Sequence, residues 1–92
     1  MNIIQGDLVV ATAGKEKNDI FIVLDVDVKC CYLVDGKRLK INKPKKKSLK
    51  HVQKASKIPF PKEHLEKREE KLNAEIRKFL KERKKYVETR CH

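Results

Sequence analysis

The pattern of apolar positions predicts a β-rich first half and a helical second half. Three short runs rich in β-branched and aromatic residues are separated by Gly, Asn and Asp, as in a small antiparallel sheet. They cover residues 4–13, Ile20–Val26 and Cys30–Val34. A fourth strand is predicted over residues 37–42, after a hairpin turn at Asp35-Gly36. There Leu39 and Ile41 alternate with polar residues and are expected to point inward.

Pro44 is expected to end the fourth strand and to place Lys45, Lys46 and Lys47 on an irregular loop that buries little. Leu49 and Val52 then suit a one-turn helix that leads into a short closing strand. Five short strands with tight turns predict a mostly-β fold, a small SH3-like barrel over residues 1–55.

The second strand is apolar on both of its faces. Alternate side chains of a strand point to opposite faces, so its residues fall into two sets. One set is Ile20, Ile22, Leu24 and Val26, and the other is Phe21 and Val23. One face can fill a barrel interior, and the other needs a cover.

The last third predicts a linker over residues 56–61 and one long amphipathic helix over residues 62–90. Pro59 and Pro61 exclude regular structure in the linker. The helical stripe consists of Leu65, Leu72, Phe79 and Tyr86 at seven-residue spacing, with Ile76, Leu80 and Val87 beside them. The helix can cover the sheet face that carries Phe21 and Val23, or it can pair with another molecule. Charged residues within the stripe favour folding back, or docking on a larger partner, over a stable dimer.

Charge is distributed unevenly along the 92 residues, whose net charge is +11. Residues 1–36 have a net charge of −3 and residues 58–92 a net charge of +4, whereas residues 37–57 contain ten cations and no acid. Almost the whole excess therefore lies in one segment. A polyanion is the natural partner of such a segment.

The basic segment is the first candidate binding site. Lysines at this density repel one another unless a counter-charge is present. Phosphates supply that charge, and the counterions they release drive binding. The alternative is a solvated face that only keeps the chain soluble, but the lack of any acid favours a nucleic acid. The candidate contacts are Lys37, Arg38, Lys40, Lys43, Lys45, Lys46, Lys47 and Lys50.

RNA is a better partner than DNA for this predicted fold. A small barrel offers no helix suited to the major groove of DNA. Folded RNA is bound through its shape, its phosphates and its 2′-hydroxyls, and lysines on loops serve that mode. Aromatic residues for base stacking are sparse, so sequence-specific recognition of single strands is not expected.

The sequence contains little that indicates a catalytic site or a metal site. No catalytic triad, carboxylate pair or P-loop is visible, so we expect neither an enzyme nor a small-molecule substrate or cofactor. Cys30-Cys31 and Cys91-His92 raise the possibility of a zinc site, which normally needs two ligand pairs. Adjacent cysteines in a strand point to opposite faces, so we expect no metal and interpret them as small apolar side chains.

The cysteine pattern and the apolar runs bear on the cellular location. Three cysteines, an odd number, do not suggest a disulfide framework, and a reducing cytoplasm is the simplest setting. No apolar run is long enough for a membrane span, and the first residues lack the pattern of a signal peptide. We therefore expect a cytoplasmic protein with no membrane partner.

Residues from about 4 to 55 resemble a KOW motif. The resemblance lies in Gly6-Asp7 before the first strand, the loop Gly14-Lys15-Glu16-Lys17, the strand Ile20–Val26, and Val34-Asp35-Gly36 before a basic segment. The chain is similar to the fourteen-e family of large-subunit ribosomal proteins and to short bacterial KOW-domain RNA-binding proteins. In that family the first loop contacts RNA, which implies RNA contacts here for Gly14, Lys15, Lys17 and Asn18. Asn18 stands where the family usually has Gly, and Asn tolerates the left-handed backbone that the turn needs.

The resemblance implies a protein that binds ribosomal RNA, as a ribosomal or ribosome-associated protein. Because the charged helical stripe disfavours a stable dimer, we expect a monomer off the RNA. The alternative is a protein-interaction module, because KOW domains also dock on transcription or translation machinery. In the first case the C-terminal helix can also dock on a partner within the ribosome.

Overall fold

A computed structural model describes the backbone of residues 2–90 and the side chains of residues 2–83. Five strands form one antiparallel sheet in the order β4-β3-β2-β1-β5. They are β1 (Leu8–Ala11), β2 (Ile20–Val26), β3 (Cys30–Val34), β4 (Lys45–Ser48) and β5 (Val52–Lys54). A 3-10 helix, Leu49–His51, joins β4 to β5, and two α-helices follow, α1 (Lys62–Glu66) and α2 (Leu72–Arg90). The outer strands β4 and β5 do not pair within the described chain, so hydrogen bonds do not close the sheet.

Much of the predicted strand pattern is confirmed. The observed bounds of β2 and β3 are those expected from the apolar runs, and the one-turn helix and short closing strand are also present. The first strand is shorter than the predicted range of 4–13. A turn precedes it, because Asp7 Oδ2 accepts the backbone N–H of Ile4 at 2.9 Å and Gly6 has a φ of 94°.

The predicted fourth strand over residues 37–42 is wrong. The chain forms a loop there, and the fourth strand is β4, with Lys46 opposite Tyr32 of β3. Asp35 Oδ1 accepts the backbone N–H groups of Lys37 at 2.9 Å and Leu39 at 2.8 Å. These bonds curl the chain into a compact turn, as Asp side chains often do, in place of a two-residue hairpin.

Two hydrophobic clusters lie on opposite faces of the sheet. The inner cluster consists of Val9, Ala11, Phe21, Val23, Cys31, Leu33 and Val52. The helix-covered cluster consists of Leu8, Ile22, Leu24, Val34, Ile41, Phe60, Leu65, Leu72, Ile76 and Leu80. The apolar character of both faces of β2 is thereby confirmed. Leu39 packs against the inner cluster while Ile41 belongs to the helix-covered cluster, so their alternation reflects two cores and not one strand face.

The C-terminal helix folds back onto the sheet, as one of the two alternatives predicted, but it covers the other face. Leu72, Ile76 and Leu80 of α2 lie in the cluster with Ile22 and Leu24, and not over Phe21 and Val23. The inner cluster is enclosed by side chains of the sheet itself, with Leu39 and Leu49 packed against it. The opposite face is therefore the one that needs a helix.

The helix predicted as one piece over residues 62–90 is broken. Residues 67–71 separate α1 from α2, and Arg68 has a positive φ of 51°. Leu65 of α1 and Leu72 of α2 both reach the helix-covered cluster, so the break lets both helices pack on one core. The predicted stripe residues Tyr86 and Val87 lie outside the residues whose side chains are described. Neither helix, over its described length, is long and apolar enough to cross a membrane.

Candidate nucleic-acid interface

The loop of residues 14–19 is a compact turn between β1 and β2. The backbone N–H of Asn18 donates to Ala11 O at 2.8 Å, and that of Lys17 donates to Gly14 O at 3.2 Å. Asn18 has a φ of 76°, so the expected left-handed Asn is confirmed. Gly14, Lys15, Lys17 and Asn18 are all exposed. Both lysines of this predicted site therefore reach solvent.

Glu16 joins this loop to β4. Its carboxylate pairs with Lys45 Nζ and, at 3.1 Å, with Lys47 Nζ. Lys47 Nζ also donates to Ala13 O at 2.8 Å. The side chains of Glu16 and Lys47 are only 15% and 10% exposed. These contacts form a partly buried group of ion pairs. It lies at the edge of the inner cluster, because Lys45 and Lys47 pair with Leu33 and Cys31 across β3 and β4.

The two lysines determine the ionisation of Glu16. The hydrogen bond from Lys45, followed by that from Lys47, lowers the pKa of Glu16 from its ordinary value of 4.5 to about 2. Glu16 is therefore ionised at neutral pH and offsets part of the positive charge of the two lysines.

The expectation that Lys45, Lys46 and Lys47 lie on an irregular loop and bury little is wrong. They form β4, where alternate side chains point to opposite faces. Lys45 and Lys47 therefore point together toward Glu16, while Lys46 is exposed on the other face. Lysine is depleted in strands, so local propensity gave no sign of this one.

A second ion pair connects the two predicted sites. Arg38 Nη2 lies 3.0 Å from Asp19 Oδ2, and the side chains are 67% and 47% exposed. A pair this exposed contributes only about 0.2–1 kcal/mol to stability. Its importance is geometric, because it places the loop of residues 35–41 beside the loop of residues 14–19.

Most of the predicted cations around these ion pairs remain without an acid. Among the described side chains, the exposed lysines of the two loops, and Lys43 just after the second loop, have no carboxylate within ion-pair distance. Together with Arg38 we call them the basic surface: Lys15, Lys17, Lys37, Arg38, Lys40 and Lys43. Lys46 also has no acidic partner among the described side chains, but it lies on the other face of the sheet. The predicted site residue Lys50 lies apart, on the 3-10 helix, which is bonded to the β2–β3 turn through Leu49 N–H and Lys29 O at 3.0 Å.

Three residues of this region were missed by sequence reasoning. Glu16 and Asp19 are the acids that hold the first loop to β4 and to the loop of residues 35–41. The sequence contained a clue to both, because they are the only acids of the first loop and the basic segment of residues 37–57 has no acid of its own to pair with. Arg77 of α2, which donates to Gly36 O, had no local signal, because only the docking of the helix brings it there.

The cysteines do not form a metal site with other described residues. Cys31 lies in the inner cluster, and its Sγ is 3.6 Å from Lys47 O. Burial raises the pKa of this thiol to about 11, which keeps it protonated at neutral pH and makes it a poor nucleophile. Within the described side chains, no group of three or more His, Cys, Asp or Glu residues could hold a metal ion. Cys91 and His92 lie outside the described residues.

No model of a known protein family matches this chain, and no curated protein matches it significantly. The resemblance to KOW-domain proteins therefore rests on the residues quoted above.

Proposed function

We propose that this protein binds structured RNA through the basic surface, with ribosomal RNA as its target, as a ribosomal or ribosome-associated protein. The observation that carries the proposal is that ion pairs hold the first loop to two basic elements, through Asp19 to Arg38 of the loop of residues 35–41 and through Glu16 to Lys45 and Lys47 of β4. Beside those pairs the basic surface contributes five exposed lysines with no acid of their own among the described side chains. An array of phosphates would neutralise them and release counterions.

The proposed fold is an SH3-like barrel of the KOW type. The strand order β4-β3-β2-β1-β5 supports it, together with the 3-10 helix before the last strand. The inner cluster supplies the interior of such a barrel. In this fold the first loop and the basic segment would lie at one end, where an RNA backbone can contact both.

The proposed mode of recognition is contact with the phosphate backbone. Lysine carries a compact charge on a flexible stem, which suits phosphates whose positions vary. Of the described aromatic rings, Phe21, Phe60 and Phe79 lie in or against the two clusters, and Tyr32 lies opposite Lys46 of β4, so neither loop has a ring of its own for base stacking. Affinity is therefore expected to depend strongly on salt and weakly on base sequence. The proposed setting is the cytoplasm, and the free thiols of Cys30 and Cys31 fit a reducing compartment.

The second candidate is a protein-interaction module for transcription or translation machinery. It is favoured by one observation: a carboxylate, that of Glu16, already fits between two lysines of β4. An acidic protein surface could be bound in the same way. Co-purification separates the candidates, because RNA binding predicts ribosomal RNA that is lost in high salt. The alternative predicts protein partners that survive nuclease treatment.

The test of RNA binding uses two sets of exposed lysines. Replacing Lys15, Lys17 and Lys40 with Ala should weaken binding of the full chain to purified ribosomal RNA. The slope of log affinity against log salt should flatten by about two units, because each lost phosphate contact removes ~0.7–0.9. The control replaces Lys62, Lys67 and Lys78, which are equally exposed but lie in the helical part. An equal loss from the control set would show that only net charge matters and would contradict the proposed site.

We do not choose Lys45, Lys46 and Lys47 for this test. Removing Lys47 would leave the partly buried Glu16 with a single partner, so a loss of binding could reflect a change in the fold.

A further inference from the structure

Helix α2 is fastened to the loop of residues 35–41 by polar contacts. Asn73 Oδ1 accepts the backbone N–H of Ile41 at 3.0 Å, and Asn73 is buried. Arg77 Nη1 donates to Gly36 O. A Cβ on Gly36 would collide with the backbone carbonyl oxygen of Asn73, so helix and loop touch backbone to backbone. One flank of α2 therefore lies directly against the loop that carries Lys37, Arg38 and Lys40.

The flank of α2 that meets this loop is basic. Lys81 follows Arg77 by four residues, which places it on the same flank, ~6 Å farther along the axis. It is exposed and has no acidic partner among the described side chains. At ~100° per residue, Glu75 and Glu82 lie roughly 140–160° around the helix from Arg77. Glu75 pairs there with His64 at 3.2 Å, and Glu82 with Arg83 at 3.8 Å.

We propose that this flank of α2, with Arg77 and Lys81, is part of the RNA interface and continues the basic surface from the loop of residues 35–41. The proposal rests on RNA binding as the function and specifies where the RNA lies. A strand crossing the two loops would run onto the helix beside them. Phosphate contacts fix the orientation of a bound nucleic acid, and a helix holds its cations at fixed spacing. The flank would therefore set the direction of the RNA across the protein.

The experiment compares two lysines of the same helix. Lys78 is exposed like Lys81 and also lacks an ion pair among the described side chains, but at ~100° per residue it lies about 100° around the helix from Arg77, whereas Lys81 lies about 40° from it. Lys78→Gln and Lys81→Gln change the net charge of the full chain equally. Binding to purified ribosomal RNA is measured from low to high salt. We expect Lys81→Gln to weaken binding several-fold and to flatten the salt slope by ~0.7–0.9, and Lys78→Gln to leave the slope unchanged.

Rescue by the conservative variant adds a second readout. Lys81→Arg keeps the charge and should keep the wild-type salt slope. Equal effects of Lys78→Gln and Lys81→Gln, or no effect of either, would overturn the proposal while RNA binding by the two loops stands. A wild-type chain that does not bind RNA at all would overturn the proposed function and with it the RNA role of α2. A chain that binds only an acidic protein through Lys81 would assign the flank to the other candidate function.

Discussion

Glu16 is the residue that couples the two halves of the candidate site. It lies 29 residues from Lys45 and 31 from Lys47 along the chain, yet its carboxylate contacts both. A partly buried carboxylate needs such partners, because burial without them carries a large desolvation cost. The contact therefore holds the first loop over the edge of the sheet formed by β4.

The stability of this contact should depend on pH. The folded chain holds the pKa of Glu16 at about 2, below its ordinary value of 4.5, so the folded state favours the ionised form. The resulting stabilisation is complete above pH 4.5 and is lost as the pH falls through 2. Glu16→Gln should therefore lower the melting temperature at neutral pH, and the difference from wild type should shrink between pH 4.5 and pH 2.

The control is Glu66→Gln, which removes an exposed charge that has no ion pair among the described side chains. Thermal unfolding of the three proteins across this pH range is the measurement. A Glu16→Gln difference that stays constant down to pH 2 would show that the contacts with Lys45 and Lys47 contribute no stability in solution.

For single residues, the sequence predicted which side chains are cations but not which of those cations remain free of an acidic partner and can contact RNA. Lys15, Lys17 and Lys40 were expected to be exposed cations, and they are. Lys45 and Lys47 were expected to be equivalent to them, but they pair with Glu16. Ion pairs between residues so far apart in sequence depend on the register in which the strands pair. The order of charges along the chain does not reveal that register.

Among the elements, β2 and β3 were predictable because runs of Ile, Val, Leu, Phe and Cys leave few alternatives to buried strands. The fourth strand was misplaced for a physical reason. Residues 37–42 have the alternation of a strand but form a loop whose apolar side chains enter two different clusters. The true β4 is Lys-Lys-Lys-Ser, which no apolar pattern reveals.

Helix α2 stabilises the sheet by covering one of its faces. Ile76 is fully buried in the helix-covered cluster, whereas Ile58 in the preceding linker is 60% exposed. Ile76→Ala should destabilise the chain by about 2–5 kcal/mol, since it leaves a cavity between helix and sheet. The matched change Ile58→Ala should stay within about 0.5 kcal/mol of wild type. Urea denaturation measures both, and a small effect of Ile76→Ala would mean that α2 is not docked in solution.

At the scale of the whole molecule, the distribution of charge matters more than its sum. The acids of the first 36 residues differ in their distance from the candidate site. Glu16 and Asp19 lie within it, whereas Asp27 lies in the turn after β2. The sequence predicted the excess of cations in residues 37–57. It did not predict that acids of the first loop would neutralise part of that excess.

Asp19 and Asp27 provide a matched test of this arrangement. They flank opposite ends of β2, whose seven residues span roughly 20 Å, about twice the distance over which physiological salt screens charge. Asp19→Asn and Asp27→Asn both raise the net charge by one. Asp19→Asn also releases Arg38 from its ion pair. Because both side chains are exposed, losing this pair should change the stability of the chain very little.

We expect Asp19→Asn to raise the affinity for purified ribosomal RNA and to steepen its salt slope by ~0.7–0.9, because one more cation becomes available to a phosphate. Asp27→Asn should leave the slope nearly unchanged, because its carboxylate lies beyond the screening distance from the two loops. Titration of both variants over a range of salt concentrations measures the difference. If the two substitutions raise affinity equally, RNA responds to total charge and the two loops are not its binding site. If Asp19→Asn lowers affinity, the Arg38–Asp19 pair positions the loops for RNA and its contribution exceeds that of the released charge.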